Sequence, residues 1–138
     1  MVTREERDAN ARFSQRYGEE RGEVVRGIEL AVIGGDWGAN GYTTTAQADQ
    51  LADMLELDPG SLVLDIGAGR GWPGLYLAAR TGCSVVLTDV PMEGLASARE
   101  RARLEGLEDR TWSINASARD LPFRAKTFDA VVHTDVLC

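Results

Sequence analysis

In the run LVLDIGAGRGWPGLYLAA, residues 62–79, a carboxylate stands two positions before the first of several closely spaced glycines. Asp65, Gly67, Gly69 and Gly71 read D-x-G-x-G-x-G, while Gly69, Gly71 and Gly74 read G-x-G-x-x-G. Glycines at this spacing between a strand and a helix let the backbone approach a ligand lying across the strand ends. The second register is the fingerprint of a dinucleotide site, in which the first glycine turns the chain off the strand and the helix start supports a pyrophosphate. Here Gly67 already makes that turn, and Pro73 removes an amide that a phosphate could use. Asp65, at the strand end facing the loop, would repel a pyrophosphate and attract an ammonium group. These residues point to a nucleotide-like ligand with an amine and a positive centre. A second carboxylate, Asp89, closes SVVLTD. The only histidine, His133, titrates near neutrality when unperturbed and is a candidate general base, as is Asp135; His133 is equally a strand-end residue whose backbone alone matters.

The elements that must hold these groups alternate in period. Residues 3–21 form a charged, weakly amphipathic segment with Phe13 and Tyr17, read as a helix. Val24, Val25, Ile28, Ala31 and Val32 recur at helical spacing and Gly34-Gly35 caps them. Thr44 and Gln47 have capping-box spacing ahead of a third helix that ends near Asp58-Pro59-Gly60. From Ser61 the pattern becomes short apolar runs separated by helices: SLVLDI, SVVLTD, TWSIN and FDAVVH are strands, with helices over 72–80 and from Pro91 to about Glu105. Strands alternating with helices of this length require crossovers, hence a doubly wound parallel α/β sheet.

Composition limits what such a chain can do. Its 138 residues fit one domain, with 43% apolar and 27% charged residues, an ordinary globular balance. Fifteen Lys and Arg against 22 Asp and Glu give a net charge of −7, opposite to what phosphate-driven binding demands, so nucleic acid is disfavoured as a partner. Arg99, Arg101, Arg103 and Arg110 are interleaved with acids and read as a solvated helix face. No apolar run is long enough to span a membrane and MVTREERDAN lacks a signal-peptide core, so the expected location is the cytoplasm. Cys83 and Cys138 fit no metal spacing and read as free thiols; no metal is required.

Residues 37–138 resemble the first half of a class I S-adenosylmethionine-dependent methyltransferase of Rossmann-like type, similar to the ubiquinone and menaquinone biosynthesis methyltransferases. LDIGAGRG resembles that family's first motif, which implies that Gly67, Ala68 and Gly69 hold the methionine portion and that Asp65 serves the cofactor's amino group, directly or through water. Asp89 takes the place of the acid that binds both ribose hydroxyls, and Val90 that of the residue against adenine. NASARDLPFRAKTFDAVV resembles G-D-A-x-x-L-P-F…F-D-x-V, with Ser117 standing where an Asp is usual and Ala118 after it at the adenine edge. His133 falls where backbone beside the methionine group is expected, and NGYTTT resembles a segment folding over that end, with Tyr42 its candidate contact. Trp37 and Trp72 read as packing groups.

The resemblance implies a methyltransferase acting on a small-molecule acceptor, with S-adenosylhomocysteine as the product. The alternatives are a cofactor-binding fragment or regulatory module without turnover, and a nicotinamide oxidoreductase. The expected organisation is a helical extension or cap over 1–42 and the S-adenosylmethionine-binding domain over 43–138. The family's sheet resembles seven strands and this sequence ends after the fourth, so the domain is expected to be truncated. The fourth strand would then be an open apolar edge through which a homo-oligomer could form.

Overall fold

The computed structural model describes residues 2–135; Cys138 lies outside them. Three helices precede the sheet: α1 (Arg4–Gly18), α2 (Glu23–Ile33) and α3 (Thr45–Met54). Capping boxes start two of them. Thr3 Oγ1 accepts from the Glu6 amide at 3.2 Å while the Glu6 carboxylate accepts from the Thr3 amide at 2.7 Å, and Thr44 and Gln47 repeat the exchange at α3. The alternating segment follows as β1 (Leu62–Ile66), α4 (Gly74–Thr81), β2 (Ser84–Asp89), α5 (Met92–Leu104), a single 3₁₀ turn over Glu108–Arg110, β3 (Thr111–Asn115) and β4 (Ala130–Val132). All neighbours run parallel in the order β3-β2-β1-β4. β4 pairs with β1 on one side, and among the described residues no strand pairs with its other side.

Strand alternation sorts the side chains onto two faces. Val63, Val85, Leu87 and Val132 belong to the main core, with Leu75, Leu77 and Ala78 of α4 and Leu95, Ala98 and Ala102 of α5. On the other face one row crosses the sheet through the register partners Trp112, Val86, Leu64 and Val131. Its centre is buried, but its ends, Trp112 and Val131, are about half exposed at 49% and 53%.

Between α2 and α3 the chain is organised by a buried acid. Glu29 Oε1 accepts from the amides of Trp37 and Ala39 at 2.8 and 2.9 Å, and its other oxygen pairs with Arg21, which also reaches Asp36. Trp37 thereby meets Trp72 and Tyr76 in an aromatic cluster, the packing role expected of both tryptophans. Of the arginines expected on a solvated helix face, Arg103 pairs with Glu100 in the open, whereas Arg101, paired with Glu105 and Asp36, lies 5.8 Å from the Trp37 ring centroid, and Arg110, beyond α5, donates to the Gly82 carbonyl at 2.7 Å. Among the described residues, no helix is long and apolar enough to cross a membrane.

Candidate functional site

At the carboxyl end of β1 the chain turns back under β2. The amides of Gly67 and Ala68 both donate to the Thr88 carbonyl, at 2.8 and 3.0 Å, and the Gly71 amide donates to the Ala68 carbonyl at 2.7 Å. The Gly69 amide donates to Asp89 Oδ2 at 2.7 Å. Four loop amides are therefore committed to the protein, which leaves this loop poorly suited to cradle phosphates. Gly69 has a left-handed φ of 53°, and a Cβ there would lie 2.8 Å from the Tyr17 hydroxyl, so glycine is required both by conformation and by the approach of α1.

The two strand-end carboxylates differ. Asp65 is 1% exposed, and its Oδ2 accepts from the Gly74 amide at 2.9 Å. Burial, with a smaller contribution from the Asp89 charge, holds its pKa well above the ordinary carboxylate range. Asp89 stands at the cleft: Oδ2 accepts from Gly69 and Oδ1 from the Val90 amide at 2.8 Å. Burial raises its pKa too, opposed by these two amides. A carboxylate oxygen accepts about two hydrogen bonds, so each oxygen of Asp89 keeps capacity for one more donor. That is the requirement for a vicinal pair of hydroxyls.

The cleft above these strand ends has a volume of about 1010 Å³, the scale of a cofactor site. Of the residues expected at the site, Tyr42, Gly67, Ala68, Gly69, Asp89, Val90, Ser117 and Asp135 line it. Three do not. Asp65, expected to serve an amino group directly or through water, shares the helix-covered face with Val63, and its carboxylate lies beneath the start of α4, outside the cleft lining. Ala118 is exposed at the outside of the turn closed by the Asp120 amide on the Ser117 carbonyl, 3.0 Å. His133 is exposed, next to the buried Val132 but on the other side of the chain. Asp135 accepts at Oδ2 from the amide and hydroxyl of Thr43, at 3.1 and 2.8 Å, and packs against Gly41. It thus ties the NGYTTT segment, with the 83% exposed Tyr42, to the end of β4.

Much of the opposite wall is a surprise. Glu6, Asn10, Phe13 and Tyr17 of α1 line the cleft, together with Asn40 and Trp72. Their spacing of four, three and four residues puts the α1 group on one helical face. That periodicity was the available signal, and only its aromatic half, Phe13 and Tyr17, stood out in the sequence. Arg70 of the glycine loop fastens α1 in place: its guanidinium lies 5.5 Å from the Tyr17 ring centroid and Nη2 donates to the carbonyls of Arg16, Tyr17 and Glu19 at 2.7, 3.2 and 3.1 Å. At the other end of the helix Glu6 pairs with Arg119. Cys83, the described cysteine, is buried away from this cleft with its thiol pKa raised by burial. Among the described residues, no cluster of His, Cys, Asp or Glu is arranged to hold a metal.

Comparison with known proteins places this geometry. The family model for the methyltransferase domain matches residues 63–138, more than half of the chain. The chain is 41% identical over 83 residues to the methyltransferase GfsG of Streptomyces halstedii, covering 60% of this chain and 30% of that protein. It is 39% identical over 85 residues to the erythromycin 3''-O-methyltransferase of Saccharopolyspora erythraea, covering 61% of this chain and 28% of that protein. Among solved structures, a geranyl diphosphate methyltransferase in complex with S-adenosylmethionine superposes with a TM-score of 0.63 at 25% identity, over 85% of this chain and 45% of that one. The chain thus spans about a third of the length of the curated relatives it matches. A four-stranded parallel sheet with a glycine loop after β1, an acid closing β2 and this family match together identify the chain as a member of the class I S-adenosylmethionine-dependent methyltransferases.

Proposed function

We propose that the cleft binds S-adenosylmethionine and that the protein containing this chain transfers its methyl group to a small-molecule acceptor. The observation that carries the reading is Asp89: a carboxylate at the cleft, anchored by two amides, with one acceptor position left on each oxygen for the ribose hydroxyls. Val90 and Phe13 offer apolar surface for adenine, the Ser117 hydroxyl can accept at its edge, and the loop from Gly67 to Gly69 lies alongside the methionine portion. Asp65 supports that loop from beneath through the start of α4. The relatives named above are methyltransferases by name, one of them an erythromycin 3''-O-methyltransferase.

When bound, the cofactor supplies an electrophilic methyl group, whose bond to sulfur breaks as an acceptor lone pair forms the new one. The chain's own residues contribute alignment and exclusion of water: α1 and the segment carrying Tyr42 wall the cleft, and Asp135 holds the latter through Thr43. Neither His133, exposed outside the cleft, nor Asp135, committed to Thr43, is assigned a proton-transfer role. A cytoplasmic setting and association through the unpaired side of β4 belong to the same proposal. Among the described residues no strand pairs with the outer side of β4, and the open backbone groups of such an edge favour pairing with another strand. Light scattering tests it: a monodisperse monomer at high concentration removes the association.

The deciding experiment for the cleft is calorimetry with S-adenosylhomocysteine and with NAD. Binding of the former, weakened in Asp89→Ala, is the expected result. Tight binding of NAD with no response to S-adenosylhomocysteine overturns the reading.

A further inference from the structure

Of the eleven residues of α2, Glu29 and Ile33 alone are buried. Most of what the helix turns outward is apolar. Val24, Val25, Ile28 and Val32 are each more than half exposed, and with the exposed Ala31 they fall within about 120° of one another around the helix axis. Leu30, also more than half exposed, stands on the far side of the buried edge. A helix apolar around so much of its surface belongs in an interior, and eleven residues rich in β-branched side chains form a marginal helix without packing. Spacing selects what covers it. Counted from Ile28, the stripe reads alike in both directions: Val24 and Val32 lie four residues away, Val25 and Ala31 three. Two antiparallel copies related by a two-fold axis through Ile28 therefore set Val24 against Val32, Val25 against Ala31 and Ile28 against itself, the self-complementarity of an isologous contact. Glu23, Arg26 and Glu29 all lie outside the stripe, so the pairing brings no like charges together.

We propose that the outward face of α2 is the contact of a two-fold dimer centred on Ile28, its occupant a second copy of this chain. Side chains of this size put on the order of 500 Å² per copy in water, so the pair covers about 1,000 Å², the low end of what a specific dimer needs. A lipid surface fits less well: an interfacial helix carries Lys and Arg on its polar face, whereas here two glutamates accompany one arginine in a chain of net charge −7. The contact bears on the cleft through Glu29 of the same helix. That carboxylate holds the amides of Trp37 and Ala39, which lead into Asn40 and Tyr42 of the cleft wall. Covering α2 steadies the helix on which this wall depends.

The test is sedimentation equilibrium of the wild type and Ile28→Lys, joined to disulfide capture of Ile28→Cys and Val24→Cys in a Cys138→Ser background, where the remaining Cys83 is buried. The wild type is expected to dimerise at concentrations on the order of 100 µM or below. Ile28→Lys sets two ammonium groups against each other on the axis and is expected to weaken the dimer about tenfold or more. Its helical circular dichroism should persist, since the side chain is exposed in the single copy; if the variant does not fold, the cysteine pair decides. Under mild oxidation Ile28→Cys is expected to cross-link. Val24→Cys, at a more exposed position but about 12 Å along the axis from its own copy, is expected not to. A wild type that stays monomeric at all these concentrations overturns the proposal and leaves α2 to another part of a longer polypeptide. Association unchanged in folded Ile28→Lys overturns it in favour of another surface such as β4, and cross-linking of Val24→Cys as fast as that of Ile28→Cys overturns the two-fold arrangement.

Discussion

The carboxyl ends of β1 and β2 carry the same residue one strand apart, and the protein uses the two in opposite ways. Asp65 is sealed at 1% exposure beneath α4, with the Gly74 amide on Oδ2. Asp89 reaches the cleft, where two amides fix its carboxylate without exhausting it. Burial raises the pKa of both, and raises that of Asp65 further. What separates a binding acid from a supporting one is therefore how far along the strand end it lies, Asp65 level with Leu87 under the start of α4 and Asp89 two residues further out on the same face, and how much acceptor capacity its neighbours leave, rather than its chemistry.

A third acid, buried like Asp65, gives the comparison its largest expected effect. Glu29 has both oxygens occupied, by Arg21 and by the amides of Trp37 and Ala39, so its removal leaves a largely covered guanidinium with Asp36 as its remaining acid and takes the acceptor from two amides. Glu29→Ala should cost about 3–5 kcal/mol of stability, read as a shifted midpoint in urea unfolding. A cost below about 1 kcal/mol would show that this network is not maintained in solution. Next in size is Asp89→Ala, expected to weaken S-adenosylhomocysteine binding by about 1.5–3 kcal/mol while leaving the fold intact, since hydrogen bonds to a charged group are lost. Asp65→Ala should do the reverse, lowering unfolding stability by about 1–3 kcal/mol through the unpartnered Gly74 amide, with affinity changed only through the displaced loop.

Titration separates the two strand ends with smaller effects. Asp65 has a folded pKa above its unfolded one, so its contribution to stability is fully present below the unfolded pKa and is lost as pH rises through the folded value. Asp65→Asn imitates the protonated acid and should flatten that decline, its unfolding temperature gaining on the wild type as pH increases toward neutrality. Superimposable pH profiles would place the Asp65 carboxylate in water. For Asp89 the readout is affinity: ribose hydroxyls favour the ionised form, so S-adenosylhomocysteine should bind more weakly as pH falls through the raised pKa of this group. That dependence should vanish in Asp89→Asn.

The parts of the fold legible in the sequence were those fixed by local pattern. The apolar runs of β1, β2 and β3, the capping box of α3 and the cap at Gly34 all fall where periodicity places them. Boundaries slipped where tertiary contacts decide: α4 starts at Gly74, after Pro73, and β4 is reduced to Ala130–Val132, the three residues in register with Val63, Leu64 and Asp65 of β1. At the site, the loop could be read from spacing, and the role of Asp89 only from the family resemblance. Asp65 could not be separated from Asp89 by residue type or by alternation, since Val63 and Leu87, each two positions earlier, put both acids on the core face, and only the start of α4 over Asp65 distinguishes them. The role of α1 was hidden for a different reason. Its cleft face mixes an acid, an amide and two aromatics, a combination with little amphipathic signal that gains meaning only when Arg70 draws the helix over the loop.

The aromatic cluster beside the cleft also makes the protein its own optical probe. Of its three tryptophans, Trp72 lines the cleft at 5% exposure and donates its indole N–H to the Thr43 carbonyl at 3.0 Å, next to the segment that Asp135 holds. Trp37 leans on Trp72 with ring centroids 6.4 Å apart, whereas Trp112 sits on β3 at the far edge of the sheet, half in water. Emission from the buried Trp72 and the partly buried Trp37 is expected to be blue-shifted relative to that of Trp112, so a ligand entering between Trp72 and α1 alters one spectral component and leaves the other as an internal reference.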